Sequence, residues 1–222
     1  IVIVNPDQWR GDALGHLGHP AVRTPTLDRL VAEDAVSFRH TYVQNPVCTP
    51  SRCSFMSGWY PHVRGHRSMV RLLHQEGEEQ CLLKTLKDGG YHVWWGGKND
   101  LVPPDQYDQV CDRKFIRGYN SSNDPDVADP LPLYAGDQDW RAGSGDPRHY
   151  SFYGGEIDAG DAAYYRDMDW ACVEQAVEQI RNAPDDRPLC LFLTLAFPHP
   201  PYVCERPWYG STDRDAVPAR AP

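Results

Sequence analysis

The strongest constraint on the fold is the segment from Pro188 to Phe197, Pro-Leu-Cys-Leu-Phe-Leu-Thr-Leu-Ala-Phe. A strand this continuously apolar cannot present a face to water, so it belongs in a sheet covered on both sides, which is the habit of parallel sheets. Residues 1–6 and Tyr91–Trp95 read as further strands of that kind, and Val36–Val43 as another. Helical patterns alternate with them. Thr24-Pro25 opens a helix to about Asp34, with Thr24 as its cap and Leu27, Leu30 and Val31 on its inner face. Pro50 and Gly58 bound a short helix, and another covers about Glu79 to Asp88, closed by Gly89-Gly90. A longer one spans about Asp161 to Asn182, with Trp170, Val173, Ala176, Val177 and Ile180 on one side. The expected class is α/β, a mainly parallel sheet sandwiched by helices.

Residues 101–160 are rich in Pro, Gly, Asp and Asn and show little periodicity, which predicts long surface loops. In parallel sheets ligands gather at the carboxyl ends of strands. Asp7-Gln8, Lys98 and His199 all follow predicted strands, and Cys48 follows the predicted strand at 36–43 across a short turn. The net charge of −9 argues against a nucleic-acid binder, and no run approaches the roughly 18 apolar residues of a membrane span. The opening Ile1-Val2-Ile3-Val4 is too short for a signal core and fits a buried strand. A soluble protein is expected, cytoplasmic or periplasmic if bacterial. The seven cysteines are odd in number and form no CxxC pair, against a zinc site or a disulfide framework. Cys172 and Cys190 read as buried, inert thiols.

Cys48 is different. It stands at the threshold of a helix, where free N–H groups and the helix dipole favour negative charge, and Arg52 lies one turn on along the same face. That setting predicts a reactive thiol of lowered pKa. Cys48-Thr49-Pro50-Ser51-Arg52 resembles the sulfatase signature Cys-x-Pro-Ser-Arg, and Phe55-Met56-Ser57-Gly58 and Tyr60-Pro61 match the pattern that follows it.

The resemblance implies an alkaline phosphatase-like α/β/α fold and a sulfuric ester hydrolase. It implies that a formylglycine-generating or equivalent maturation enzyme oxidises Cys48 to formylglycine. The hydrated aldehyde attacks a sulfate ester with a divalent cation, Ca²⁺ first, Mg²⁺ or Mn²⁺ as alternatives. Asp7 and Gln8 resemble the family's paired metal ligands, with residue 48 as a third. Gly97-Lys98-Asn99-Asp100 resembles Gly-Lys-x-His, so Lys98 is a sulfate contact, while Asp100 departs from the pattern and is expected to turn away or serve a different leaving group. Phe197-Pro198-His199-Pro200-Pro201-Tyr202 resembles Pro-His-x-Pro-Tyr/Phe and makes His199 the acid for the leaving oxygen. Arg52 is assigned to residue 48 or its loop.

The substrate implied is a sulfated small molecule or sugar. Phosphonate monoester or phosphodiester hydrolysis by the same nucleophile is the alternative, and an unmodified binding module a third reading. Residues 1–222 read as the N-terminal part of a sulfatase catalytic domain, with a loop-rich insertion at about 101–160. The family's remaining metal ligands and second sulfate-binding Lys lie further along its longer chains, so a chain of this length alone is expected to hold metal weakly and not to turn over.

Overall fold

The computed structural model describes residues 1–74, 77–115, 153–160, 167–200 and 202–219. These form two compact units, one drawn from 1–7, 43–115 and 167–198, the other from 8–42, 153–160 and 199–219.

The first unit is built on a four-stranded, all-parallel sheet. Its order is β1 (Val2–Pro6), β5 (Leu189–Leu195), β2 (His92–Gly97) and β3 (Arg113–Phe115). The strand predicted from the apolar run, β5, lies between β1 and β2. Side chains alternate across a strand with period two, so β2 and β5 bury both faces. Val93, Trp95, Cys190 and Phe192 pack with Cys53 and Met56 of α2 (Cys48–Ser57), Leu83 of α3 (Leu82–Asp88) and Tyr107 and Val110 of α4 (Tyr107–Val110). Trp94, Leu191, Leu193 and Phe115 pack on the other face with Met168, Ala171, Cys172 and Ala176 of α5 (Met168–Arg181). Each large apolar side chain so buried contributes roughly 1.5–3 kcal/mol. The class read from the sequence, a parallel sheet between helices, is the one observed.

The second unit holds α1 (Pro25–Glu33) and a parallel pair of strands, β4 (Tyr153–Ile157) and β6 (Tyr202–Glu205). Here the sequence expectations fail most. Residues 36–42 form no strand, and Val36, Phe38 and Tyr42 are exposed, as is Val43 in the first unit. Their β-prone side chains have no described strand to pair with, and propensity alone does not make a ladder. On α1, Pro25 does take the first turn, but Leu27 and Leu30 are exposed. Thr24 stands at the N-cap position as expected, but its side chain makes no capping hydrogen bond. Its hydroxyl donates to Asp28 Oδ1 at 2.8 Å and accepts from Gly15 N at 2.9 Å.

The first unit brings further corrections. The opening strand is not buried on both faces, because β1 is an edge strand and Val2 and Val4 are exposed. Helix α3 begins at Leu82, later than expected. Residues 101–115 are core rather than surface loop, with Leu101, Val102, Tyr107, Val110, Cys111 and Phe115 all buried. The expected loops at 116–152 lie outside the described residues, as does the predicted helix start at 161–166. Helix α5 starts where Asp167 accepts a hydrogen bond from Trp170 N. Its buried face is the narrow one of Met168, Ala171, Cys172 and Ala176, while Val177 and Ile180 are exposed. Small residues let the helix lie close over Trp94, a preference that a search for bulky apolar positions does not detect.

Candidate active site

Two residues leave the sheet on either side of β5. Asp7 N donates to Leu195 O at 3.1 Å and Lys98 N to Thr194 O at 3.0 Å, so the first residues after β1 and β2 are held at one edge. Gly97 makes this possible. Its φ of +91° is left-handed, and a β-carbon there would run into the Thr194 carbonyl. The buried Thr194 hydroxyl accepts from Trp95 Nε1 at 3.0 Å and lies within donating distance of the Gly96 and Lys98 carbonyls. Lys114, also buried, donates to Gly97 O at 2.5 Å with its ammonium over the Trp95 ring.

Cys48 is the first residue of α2, which ends at left-handed Gly58. The thiol donates to Asp7 Oδ1 at 3.3 Å and lies 3.7 Å from Lys98 Nζ. Asp7 Oδ2 accepts from Lys98 Nζ at 2.5 Å and from Arg52 Nη2 at 3.2 Å. Arg52 thus reaches the site one turn beyond Cys48, where it pairs with Asp7. Asp7 and Arg52 are each 6% exposed, so these ions meet with little water between them.

Burial alone would raise the Asp7 carboxyl. The hydrogen bond and charge of Lys98, the charge of Arg52 and the Cys48 thiol outweigh it and hold the group below its ordinary value. For Cys48 the expectation of a lowered pKa is overturned. Burial is the largest influence and raises it, Lys98 opposes, and the Asp7 and Asp100 carboxylates add to the rise. A helix N-terminus does favour a thiolate, but here two carboxylates face the sulfur. As a thiol, residue 48 is a poor nucleophile at neutral pH.

Of the two expectations for Asp100, the first fails, because the side chain does not turn away. The φ of Asp100 is +57°, and its Oδ2 lies 3.0 Å from Lys98 Nζ, an ion-pair distance without hydrogen-bond alignment. Oxygens of Asp7 and Asp100 and the Cys48 sulfur lie within 4.8 Å of one another. The Asp7 and Asp100 carboxylates, with an Asp100 oxygen not used in a hydrogen bond, suit a hard divalent cation, whereas the Cys48 sulfur is a soft donor and an oxygen at residue 48 would suit such a cation better. The signal that could have found Asp100 is its position in the short turn that also carries Lys98.

Gln8 and His199 belong to the second unit. Gln8 has a left-handed φ of +59° and donates through Nε2 to the Tyr202 hydroxyl at 3.0 Å. His199 Nδ1 lies 2.8 Å from Pro200 O. A carbonyl only accepts, so Nδ1 carries a proton and Nε2 is the ring atom left to exchange one. Arg10 and Asp12, both exposed, are paired with each other at 2.6 Å. Cys172 and Cys190 are buried as expected.

The parallel sheet carries a carboxylate and a lysine from two strands onto a cysteine at a helix start. The chain belongs to the sulfatase family, whose profile, described as Sulfatase, matches residues 1–217. It is similar to the ulvan-active sulfatase of Formosa agariphila, 43% identical over 98 residues, which is 44% of this chain and 19% of that protein. It is 26% identical to the choline-sulfatase of Rhizobium meliloti over 94% of this chain and 40% of that protein. The matches thus cover less than half the length of either relative. The fold is shared with the phosphonate monoester hydrolase of Agrobacterium radiobacter, with a TM-score of 0.61 at 22% identity over 98% of this chain and 44% of that one. Among the described residues no helix is long and apolar enough to cross a membrane.

Proposed function

We propose that the chain is the nucleophile-bearing part of a hydrolase that cleaves sulfate esters, with Cys48 converted to formylglycine by a separate maturation enzyme that supplies the oxidant. One observation carries the reading. The residue at the family's modified position is held against Asp7 and Lys98 at the carboxyl edge of the sheet, where the unmodified thiol is pushed up in pKa and suited to little chemistry of its own.

In this reading one hydroxyl of the hydrated aldehyde forms a bond to the ester sulfur, and the bond from sulfur to the alcohol oxygen breaks. The departing oxygen takes a proton, for which His199 is the candidate donor through Nε2. The second hydroxyl on residue 48 then gives up its proton, the carbon–oxygen bond to sulfate breaks and the aldehyde is restored. Lys98 offsets the negative charge of the sulfuryl group, and Arg52 fixes the Asp7 carboxylate that orients residue 48. Asp7, residue 48 and Asp100, with Gln8 as a further candidate, would hold a divalent cation, Ca²⁺ before Mg²⁺ or Mn²⁺, whose charge would favour ionisation of an oxygen nucleophile. The substrate class is a sulfated small molecule or sugar.

Two measurements test this on the complete, mature protein rather than on residues 1–222 alone. The mass of the peptide containing residue 48 reports conversion of thiol to aldehyde, and an aryl sulfate reports turnover. Conversion with turnover is expected. A residue 48 that remains entirely a thiol after expression in a host competent for maturation leaves only the binding-module reading. Phosphonate monoester or phosphodiester hydrolysis is kept as the second reading because Asp100 brings a carboxylate to Lys98. Relative rates on an aryl sulfate and an aryl phosphonate monoester decide between them.

A further inference from the structure

Two lysines meet at one peptide bond. The bond between Gly97 and Lys98 leads from β2 into the site, and its two polar groups are held from different directions. Its N–H donates to Thr194 O at 3.0 Å, and its carbonyl, Gly97 O, accepts from Lys114 Nζ at 2.5 Å. A glycine leaves the adjoining torsions loose, and Gly97 sits at a left-handed φ of +91°. Anchoring both groups of the peptide removes that freedom. From this fixed plane the Lys98 side chain runs to Asp7 Oδ2 at 2.5 Å and to within 3.7 Å of Cys48 Sγ.

The anchor on the carbonyl is an ion. Lys114 is the middle residue of β3 and 1% exposed. It pairs with Trp95 across the ladder and reaches forward two residues, roughly 6–7 Å of strand, to the Gly97 carbonyl. On the way its ammonium lies 4.8 Å from the centre of the Trp95 ring and 5.6 Å from that of Tyr107, and it also donates to Phe115 O at 3.1 Å. The carbonyls on either side, Gly96 O and Lys98 O, share the neutral Thr194 hydroxyl, which has one proton to give. Burying an ammonium is costly, and an apolar side chain of similar length would fill the space between two aromatic rings at no such cost. A role confined to packing therefore does not account for a lysine at 114, whereas a firm hold on the carbonyl that precedes Lys98 does.

We propose that Lys114 is a positioning residue for Lys98. By fixing the Gly97 carbonyl it sets the direction in which the Lys98 ammonium enters the site, and it does so without touching substrate. The inference rests on the hydrolase reading above and adds to it a residue that lies outside every motif of the sequence. A displacement of about 1 Å in a group that meets the substrate costs on the order of 10²-fold in rate.

The test is a double-mutant cycle between Lys114→Met, which keeps the length of the side chain and removes its charge and donors, and Lys98→Ala. With the complete, mature protein, kcat/KM is measured on p-nitrophenyl sulfate. Lys114→Met is expected to lower it about 10²-fold in the wild-type background and by no more than about twofold in the Lys98→Ala background. Losses that multiply in the double variant would make Lys114 a brace that acts apart from Lys98 and would overturn the proposal, as would an unchanged kcat/KM in Lys114→Met. Crystal structures of the wild-type protein and of Lys114→Met give a readout that needs no turnover. Lys98 Nζ is expected to shift from Asp7 Oδ2 by about 1 Å or more in the variant, and an unmoved Lys98 would overturn the proposal. A wild-type protein without turnover removes the hydrolase reading, while the two structures still decide whether Lys114 positions Lys98. Should Lys114→Met fail to fold, Lys114→Gln, which keeps an N–H donor on a shorter arm, carries the same cycle and the same structural comparison.

Discussion

The two ends of the sheet each hold an aspartate flanked by cations, and they use it differently. At the N-terminal edge Asp112 accepts from Val93 N at 2.7 Å and from Arg187 Nη1 at 3.2 Å, and Arg187 Nη2 lies 2.8 Å from His92 Nδ1. At the C-terminal edge Asp7 accepts from Lys98, Arg52 and Cys48. Arg187 is 40% exposed, whereas Arg52 is 6% and Lys98 3%. The lower cluster ties strand ends together with hydrogen bonds to backbone, and water shares its charges. The upper cluster is desolvated, and Arg52 Nη1 and Asp100 Oδ2 make no hydrogen bond within it. Similar residue types thus build a clasp where their bonding capacity is spent within the fold, and a candidate site where some of it is held back for a ligand.

The largest expected difference is in activity. Cys48→Ala in the mature protein should lower sulfate-ester turnover by about 10⁴-fold or more, since loss of a nucleophile removes the covalent route. A melting temperature close to wild type would show that the effect is chemical. Retention of full activity would remove the upper cluster from catalysis altogether.

Next comes Asp7→Asn, which leaves the buried Lys98 and Arg52 without their shared counter-charge. Breaking a buried pair from one side costs about 3–5 kcal/mol, to be read from urea unfolding. A loss no greater than that seen in the lower cluster would show that the two ends are alike energetically. Gly97→Ala should cost about 1–3 kcal/mol, because it combines a left-handed backbone with a collision against Thr194. It should impair turnover as well by displacing Lys98.

The smallest effect belongs to the lower cluster. Asp112→Asn should lower stability by only about 1–2 kcal/mol at pH 7, the scale of one charge-assisted hydrogen bond. Burial would raise this carboxyl, but the Val93 N–H, Arg187, Lys87 and His92 hold it below its ordinary value of 3.8. A lowered folded value means that the contribution is present above pH 3.8 and is lost as pH falls through the folded value. Wild-type and Asp112→Asn unfolding curves should therefore converge on acidification. A gap that persists unchanged in strong acid would show that the clasp does not act through ionisation.

Sequence reasoning located much of the upper end of the sheet. The continuous apolar run identified β5, and the Cys48–Arg52 string and the strand ends at Asp7 and Lys98 pointed to groups that do meet. The turn after Gly97 was less legible, because whether Asp100 faces Lys98 depends on a single left-handed residue rather than on composition. The Cys48 pKa was misread because a helix-end argument takes no account of a carboxylate that arrives from another strand. Helix α4 has four residues and β3 three, too few to register a period, so the core at 101–115 resembled loop. At 36–43 the side chains suit a strand, but a strand needs a partner, and sequence pattern does not supply one. Gln8 and His199 rest on the resemblance of their surroundings.

The pairing of Asp7 with Leu195 and of Lys98 with Thr194 has a metric consequence. The two residues sit on opposite flanks of one strand, so their backbones are separated by two strand-to-strand steps, about 4.7–4.9 Å each. A short side chain at position 98 could not bridge that gap, whereas the four-carbon arm of a lysine can. The sheet thus acts as a gauge, dictating the length of the cation that can reach across β5 to the aspartate.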